Sequence, residues 1–410
     1  MPEPTTPSPP RRRPRGPSLR ALMALVLVLG GGLGWLAYRA RVQRLAVAAI
    51  EAAGGKVYYD WQWGNGLPDP TKPRPNRPKW IVDALGVDSF DTVVGVYLGG
   101  PGIKADDALM TQVGRLDYLT FLGLNGNPAI TDAGLAHLRG LVRLRDLDLD
   151  SAGVRGPGLA HLTGMTRLES LDLSRCTVAD ADLAHLARLK SLKALDLDGR
   201  GITDAGLAHL AGLTRLERLR IWEGPVTAGG LAHLRGLVRL RSLALNGTKV
   251  ESLEPIRHLD LASLDLFSTP IDDAGLAPVA AFRSLQRLDL GDTRVGDAGL
   301  AHLAGLTDLD SLELAGSRVG DAGLAHLARL PGLRHLHLGR TAITDAGLAH
   351  LAGLHGLVRL ALNDTKVTDA GLAHLAGLAR FAELDVRRTA VSQAGATSAT
   401  REHPGMRVVR

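Results

Sequence analysis

The chain has 410 residues, 45% of them hydrophobic and only 4% aromatic, so its interior must be built mainly from Leu, Ala and Val. The formal net charge of +6 is local: eight of the 48 basic residues, all Arg, lie in residues 1–44 beside one acid, Glu3, leaving 40 basic against 41 acidic groups in residues 45–410. A near-neutral body excludes polyanion binding driven by bulk phosphate neutralisation, and no nucleic-acid partner is expected.

Residues 1–20, rich in Pro and Arg, cannot bury apolar surface and are expected to form a disordered basic tail. From Ala21 to Tyr38 runs an uncharged stretch of 18 residues, about 27 Å as a helix, near the thickness of a bilayer core. It is expected to be a single transmembrane anchor. A cleaved signal peptide is the alternative, although Tyr38, Arg39 and Arg41 break the small-residue pattern of a cleavage site. Five Arg precede the stretch and three follow it, an asymmetry that puts the N-terminus in the cytoplasm and the body on the extracytoplasmic side.

Residues 39–93 should form a juxtamembrane helix and an N-terminal cap. Arg41–Ala53 has a helical pattern stopped by Gly54 and Gly55, Lys56–Gln62 suits a strand, and a proline-rich loop follows. Seven of the aromatic residues fall close together here: Tyr58, Tyr59, Trp61, Trp63, Trp80, Phe90 and Tyr97. A repeat array needs a hydrophobic plug at its open end, and these residues are expected to provide it; a ligand-binding patch is the alternative.

Beyond residue 93 the chain repeats itself. Leu135, Leu159, Leu183, Leu207 and Leu231 follow one another at steps of 24, and Leu276, Leu300, Leu324, Leu348 and Leu372 do the same. Between the two runs one unit is three residues short, since Val226 to Val250 is 24 and Val250 to Ile271 is 21. Each unit joins two local periods. Leu195-Asp-Leu197, Leu288-Asp-Leu290 and Leu312-Glu-Leu314 alternate as strands with one buried face do. Ile343 to Leu351 places Leu348 and Leu351 three apart behind Thr344-Asp345, the pattern of a short capped helix, and Asp204, Asp297, Asp321 and Asp369 repeat the acid at its positive end.

The pattern Leu-x-x-Leu-x-x-Leu-x-Leu-x-x-Thr-x-Ile resembles the leucine-rich repeat over about residues 94–410, with thirteen strand-to-helix units counted from Val96 and one more strand beginning near Val408. The Ile-Thr-Asp-x-Gly-Leu units look like those of bacterial leucine-rich-repeat proteins and of F-box adaptors. The resemblance implies an α/β horseshoe solenoid, with a parallel sheet on the concave face and short helices on the convex face, here preceded by the transmembrane helix. It also implies that Asn127, Cys176, Thr248, Thr269, Thr293, Ser317, Thr341, Thr365 and Thr389 bond the turning backbone from inside.

Strand alternation turns Leu147 and Leu149 inward, so Asp146, Asp148 and Asp150 should face the concavity, followed by Asp172, Asp196 and Asp198. The next exposed set is Arg218, Arg220 and Trp222, and two repeats on come Asp265 and Phe267. Arg218, Arg220, Trp222, Asp196, Asp265 and Phe267 form the candidate partner-binding site, because Trp and Arg dominate binding hot spots. The competing expectation has Trp222 packed on Pro225 and Arg220 paired with Asp196. Nine histidines share one repeat position, from His137 to His374, but adjacent helices lie about 8–10 Å apart, too far for zinc ligands needing about 2 Å. His335 and His337, on one strand face near Glu313 and Asp289, are the weak metal candidates.

Phosphate-gripping, nucleophile-elbow and paired-cysteine motifs are missing from the chain, so neither enzyme activity nor a cofactor is expected. The expected function is that of a membrane-anchored module of the cell envelope, binding a protein or peptide on its concave face. The alternatives are an F-box-like substrate adaptor in protein turnover and a metal-dependent role at the His335–His337 pair.

Overall fold

The computed structural model describes residues 19–64, 67–69, 71–73, 75–76 and 90–410. Most of the expected basic tail, Trp80 and much of the proline-rich loop lie outside these residues. Leu19 and Arg20, assigned to the tail from sequence, instead open a 34-residue helix, α1 (Leu19–Ala52), about 51 Å long.

The segment expected to span a membrane, 21–38, is the outer half of α1 and not a separate element. No helix among the described residues is long and apolar enough to cross a membrane. Gly30, Gly31, Gly32 and Gly34 interrupt the apolar run and stand in open space. The inner half behaves differently: Ala40, Gln43, Ala46, Val47 and Ile50 are buried, the three-and-four spacing of a helix with one packed face. Gln43 holds the contact, donating from Nε2 to the Asp91 carbonyl at 2.7 Å and accepting from the Val93 amide at 3.1 Å. Gly54, at φ +86°, ends the helix in a conformation that L side chains disfavour.

Strand β1 (Lys56–Tyr59) follows, then a two-stranded hairpin of β2 (Trp63–Gly64) and β3 (Leu67–Pro68). The repeats contribute β4 (Val93–Tyr97), β5 (Phe121–Gly123), β6 (Asp146–Asp148), β7 (Ser170–Leu173), β8 (Ala194–Asp198), β9 (Arg218–Trp222) and β10 (Ser242–Ala244). After the short repeat come β11 (Ser263–Asp265), β12 (Arg287–Asp289), β13 (Ser311–Glu313), β14 (His335–His337), β15 (Arg359–Ala361), β16 (Glu383–Asp385) and β17 (Arg407–Val409). From β4 to β17 every strand is parallel to its neighbour in sequence order, and β1 closes the N-terminal edge antiparallel to β4. The register stays constant even across the short repeat, so Leu219, Leu243, Leu264, Leu288 and Leu312 lie side by side and buried.

Among the described residues, the aromatic cluster contributes little to the end plug expected from sequence. Ala46, Val47 and Ile50 of α1 join the core over the first repeat, and of the described aromatic residues in the set only Tyr59 packs against that core. Trp63 instead leans over Gly95 and sits 5.8 Å from Phe121, on the concave side.

Adjacent repeats are also clamped by a device spread over two turns. In the turn Asp345–Leu348, Thr344 is the N-cap, its side chain accepting from the Ala346 amide. The Thr344 amide and hydroxyl donate to the two oxygens of Asp321, one repeat earlier, at 2.8 and 2.6 Å. Asp345 receives Thr368 in the same way, and Asp369 receives Ser392. These aspartates, read from sequence as charges at a helix end, therefore serve mainly as inter-repeat acceptors. Gly347 is required by the same clamp, because a Cβ there would lie 2.3 Å from Asp321 Oδ1. The short repeat breaks the series: a 3-10 turn, Glu254–Ile256, replaces the Asp-Ala-Gly-Leu turn. The inner ladder is observed at most of the expected positions, but Ser317 Oγ is buried without a hydrogen-bond partner among the described residues. Thr248, Thr269, Thr293, Thr341, Thr365 and Thr389 donate to the carbonyl three residues back at 2.5–2.7 Å. Cys176 approaches the Leu149 carbonyl at 3.2 Å, and burial pushes its thiol up to about 12.

Candidate functional site

Side chains that alternate with the buried leucines form rows across the concave face. The middle row runs Asp148, Asp172, Asp196, Arg220, Ala244, Asp265, Asp289, Glu313, His337, Ala361, Asp385, at about 4.8 Å per strand. Most of its aspartates bend onto the chain leaving their own strand. Asp148, Asp172, Asp265, Asp289 and Asp385 each accept from the amide two residues on, at 2.8–3.0 Å.

Asp196 differs because β8 and β9 are longer, and Asp198 continues the ladder to Trp222. Asp196 is 5% exposed, and its Oδ1 is buried with no hydrogen-bond partner. Its Oδ2 lies 3.6 Å from Arg218 Nη2 and 3.8 Å from Arg220 Nη1. Burial raises the Asp196 carboxyl above its ordinary range, against the two arginines. Asp198 is buried as well and is bonded by Arg200. The expectation that both carboxylates would be exposed is thus corrected, since neighbouring long side chains cover them.

A concave cavity of about 470 Å³ opens over this corner, lined by Asp150, Asp172, Asp196, Arg220 and Trp222 among others. Trp222 is 47% exposed and Phe267 38%. Trp222 is the last residue of β9, and Phe267 stands at the equivalent repeat position two residues beyond β11, with Asn246 likewise beyond β10 between them. Arg218, Arg220, Trp222 and Asp196 are brought together at the β8–β9 step, while Asp265 and Phe267 stand two strands away. Asn246 connects the halves, donating from Nδ2 to Asp265 Oδ2 at 2.6 Å. Half of the competing expectation is also present, in that Arg220 pairs with Asp196.

The second hollow, of about 400 Å³, is lined by Glu313, His335, His337, Arg359, Glu383 and Asp385, with other residues. His337 is held from both sides, by Glu313 Oε2 2.9 Å from Nδ1 and by Asn363 Oδ1 3.1 Å from Nε2. Two acceptors on one ring favour the doubly protonated form, and the Glu313 bond holds the imidazole above its ordinary value. Burial, helped by Asp265 and Glu313, pushes Asp289 up to about 6. Both ring nitrogens of His337 are occupied, and among the described residues no group of three or more His, Cys, Asp or Glu is placed to hold a metal ion. That corrects the metal reading of His335 and His337. The repeated histidines from His137 to His374 are exposed or half-exposed along the helical turns.

A family model described as a leucine-rich repeat matches residues 283–304 and 331–352. A solved internalin, InlF of Listeria monocytogenes, superposes with a TM-score of 0.62 over 80% of this chain and 92% of its own, at 23% identity. The fold is a leucine-rich-repeat solenoid. A leucine-rich-repeat protein of Leptospira interrogans gives a TM-score of 0.52 over 73% of this chain and 80% of its own, at 18% identity. No curated protein matches the sequence.

Two features of this leucine-rich-repeat face escaped the sequence reading. Asn363 follows the strand pattern like any turn residue, and only its place beside β14 makes it a partner of His337. The exceptional burial of Asp196 falls where β8 and β9 each have five residues, and the sequence does not mark it, since Leu288-Asp-Leu290 and Leu312-Glu-Leu314 carry the same alternation in three-residue strands.

Proposed function

We propose that this protein is a membrane-held interaction module that binds a protein or peptide on its concave face, at the corner formed by Asp196, Arg218, Arg220 and Trp222. The observation that carries the reading is the exposure of Trp222. Among the described residues after Leu45, the exposed large hydrophobics are Val142, Trp222, Val238 and Phe267, and the two aromatic ones share this face. A half-exposed Trp above guanidinium groups and a buried carboxylate is costly as plain surface and suited to a partner's side chain. Asp265 and Phe267 extend the surface across two more strands.

Membrane attachment is supported by the outer half of α1, where Leu19, Met23, Val26, Leu27, Val28, Leu33 and Trp35 are all exposed. Such a surface is unstable in water and stable in lipid. The orientation expected from the flanking arginines presupposes a segment that crosses the bilayer, which no helix among the described residues supplies; the side of the membrane on which the repeats lie is checked by protease accessibility in intact cells.

The test of binding is selection of a random peptide library on the full-length protein in detergent. Wild type should retain peptides that the Arg218→Ala, Arg220→Ala, Trp222→Ala variant does not, with circular dichroism of the two unchanged. Equal retention by both would remove the β8–β9 corner as the site.

A further inference from the structure

The two halves of α1 meet at Tyr38–Ala40, where the helix passes from exposed apolar residues to residues packed on the first repeat. A cavity of about 500 Å³ lies at this changeover. Trp35, Arg39 and Arg41 line it from the helix, and Arg115, Asp117 and Tyr118 from the turns that follow β4. Arg39 places its guanidinium 4.0 Å from the Tyr118 ring centre and 5.7 Å from that of Trp35, and Arg143 approaches the same Tyr118 ring at 4.2 Å. Stacking by its flat face leaves the N–H edge of a guanidinium able to donate. Arg39 reaches Thr92 Oγ1 only at 3.5 Å, and Arg115 bonds the neutral Gln112.

Charge balance sets this place apart from the concave face. Most arginines there are paired with acids, as in Arg145–Glu169, Arg218–Asp196 and Arg359–Glu383. At the root of α1, among the described residues, no carboxylate forms an ion pair with Arg39, Arg41, Arg115 or Arg143, and the cavity wall carries a single acid, Asp117. Arg39 and Arg143 on the Tyr118 ring, with Arg41 and Arg115 on a cavity wall that holds one acid, leave an excess of positive charge that calls for an anion with several oxygens, which arginine forks match in pairs. The exposed apolar helix leading into the cavity says where that anion comes from. Trp and Tyr at such a junction prefer the level of lipid headgroups.

We propose that this cavity binds the phosphate of an anionic lipid headgroup, with Arg39 and Arg115 as its principal donors and Trp35 and Tyr118 as the stacking walls. The proposal rests on the membrane attachment put forward above. It requires the outer half of α1 to lie in lipid, not to cross it. It also gives the solenoid a set tilt on the membrane, because α1 is continuous from the apolar half to the packed half.

The test is flotation of the full-length protein with vesicles of phosphatidylcholine alone and of phosphatidylcholine with phosphatidylglycerol, at one ionic strength. Wild type should bind the anionic vesicles about tenfold more tightly. An Arg39→Gln, Arg115→Gln variant should bind both kinds at the level of wild type on the neutral ones. A variant with Arg11, Arg12 and Arg13 changed to Gln should keep most of the preference. Loss of preference in the tail variant alone would overturn the site in favour of bulk attraction by the N-terminal arginines. Equal binding of wild type to both vesicles would overturn the headgroup site and leave membrane attachment standing; binding to neither would remove both. Displacement by inorganic phosphate, with sulfate at matched ionic strength inactive, would overturn the lipid assignment and point to a free phosphate. Melting temperatures of all variants should stay close to that of wild type, since Arg115 is exposed, Arg39 is half-exposed, and neither forms an ion pair among the described residues.

Discussion

The concave face contains the same charge sequence twice, and the two copies behave differently. Across β6–β10 the middle row reads Asp148, Asp172, Asp196, Arg220, Ala244, and across β11–β15 it reads Asp265, Asp289, Glu313, His337, Ala361. Each copy is three acids, a base and an alanine. In the first the base is the guanidinium of Arg220, and the exposed Trp222 stands beside it. In the second it is His337, gripped by Glu313 and Asn363. One order of charges thus yields a permanently polar corner with an aromatic anchor and a patch whose charge depends on pH.

The comparison can be broken from below, where the largest effect lies. Leu219 and Leu336 occupy the same repeat position beneath the two bases and are almost fully buried. Leu219→Ala and Leu336→Ala should each cost about 2–5 kcal/mol, measured by urea unfolding. A much smaller loss for one of them would mean that the two regions differ in packing and not only in the chemistry of the row.

It can be sharpened by pH. The His337 imidazole is raised in the fold, so its stabilisation is complete below its unfolded value near 6.5 and is lost as pH rises through the folded value. Asp289, at about 6 in the fold against 3.8 ordinarily, favours its neutral form there, so stability is lost as pH rises from about 4 to 6. Asp289→Asn should flatten the lower slope and raise Tm at pH 7 by roughly 2 °C. Glu313→Gln should lower the His337 titration midpoint seen by NMR. An unchanged midpoint would show that the Glu313 bond does not set the charge of that ring.

The smallest effect separates folding from binding in the first copy. Trp222→Ala should shift stability by no more than about 0.5 kcal/mol, as at other exposed positions, while abolishing retention of the selected peptides. A large loss of stability would mean that Trp222 packs on its own turn and is not available to a partner.

Much of this architecture is written locally. The step of 24, the Leu-x-Leu alternation and the Thr ladder depend on near neighbours in the chain, and the strands and ladder bonds form where those residues stand. The Asp-Thr clamp was half visible: its residues recur in plain sight, but the carboxylate serves the next repeat and not its own helical turn. Such a pairing has no signature within one unit. Among the described residues the inner half of α1, read from sequence as a juxtamembrane helix, turns onto the first repeat and takes most of the role expected of the aromatic plug.

By itself the sequence determined the repeat, its register and the identity of every residue on the concave rows, because strand alternation depends only on period and on which side chains are apolar. Tertiary structure decided which carboxylates on those rows are covered, which base is clamped, and where α1 passes from packed to exposed. Those outcomes depend on what the neighbouring repeat places within about 5 Å, a distance set by stacking and invisible along a single strand.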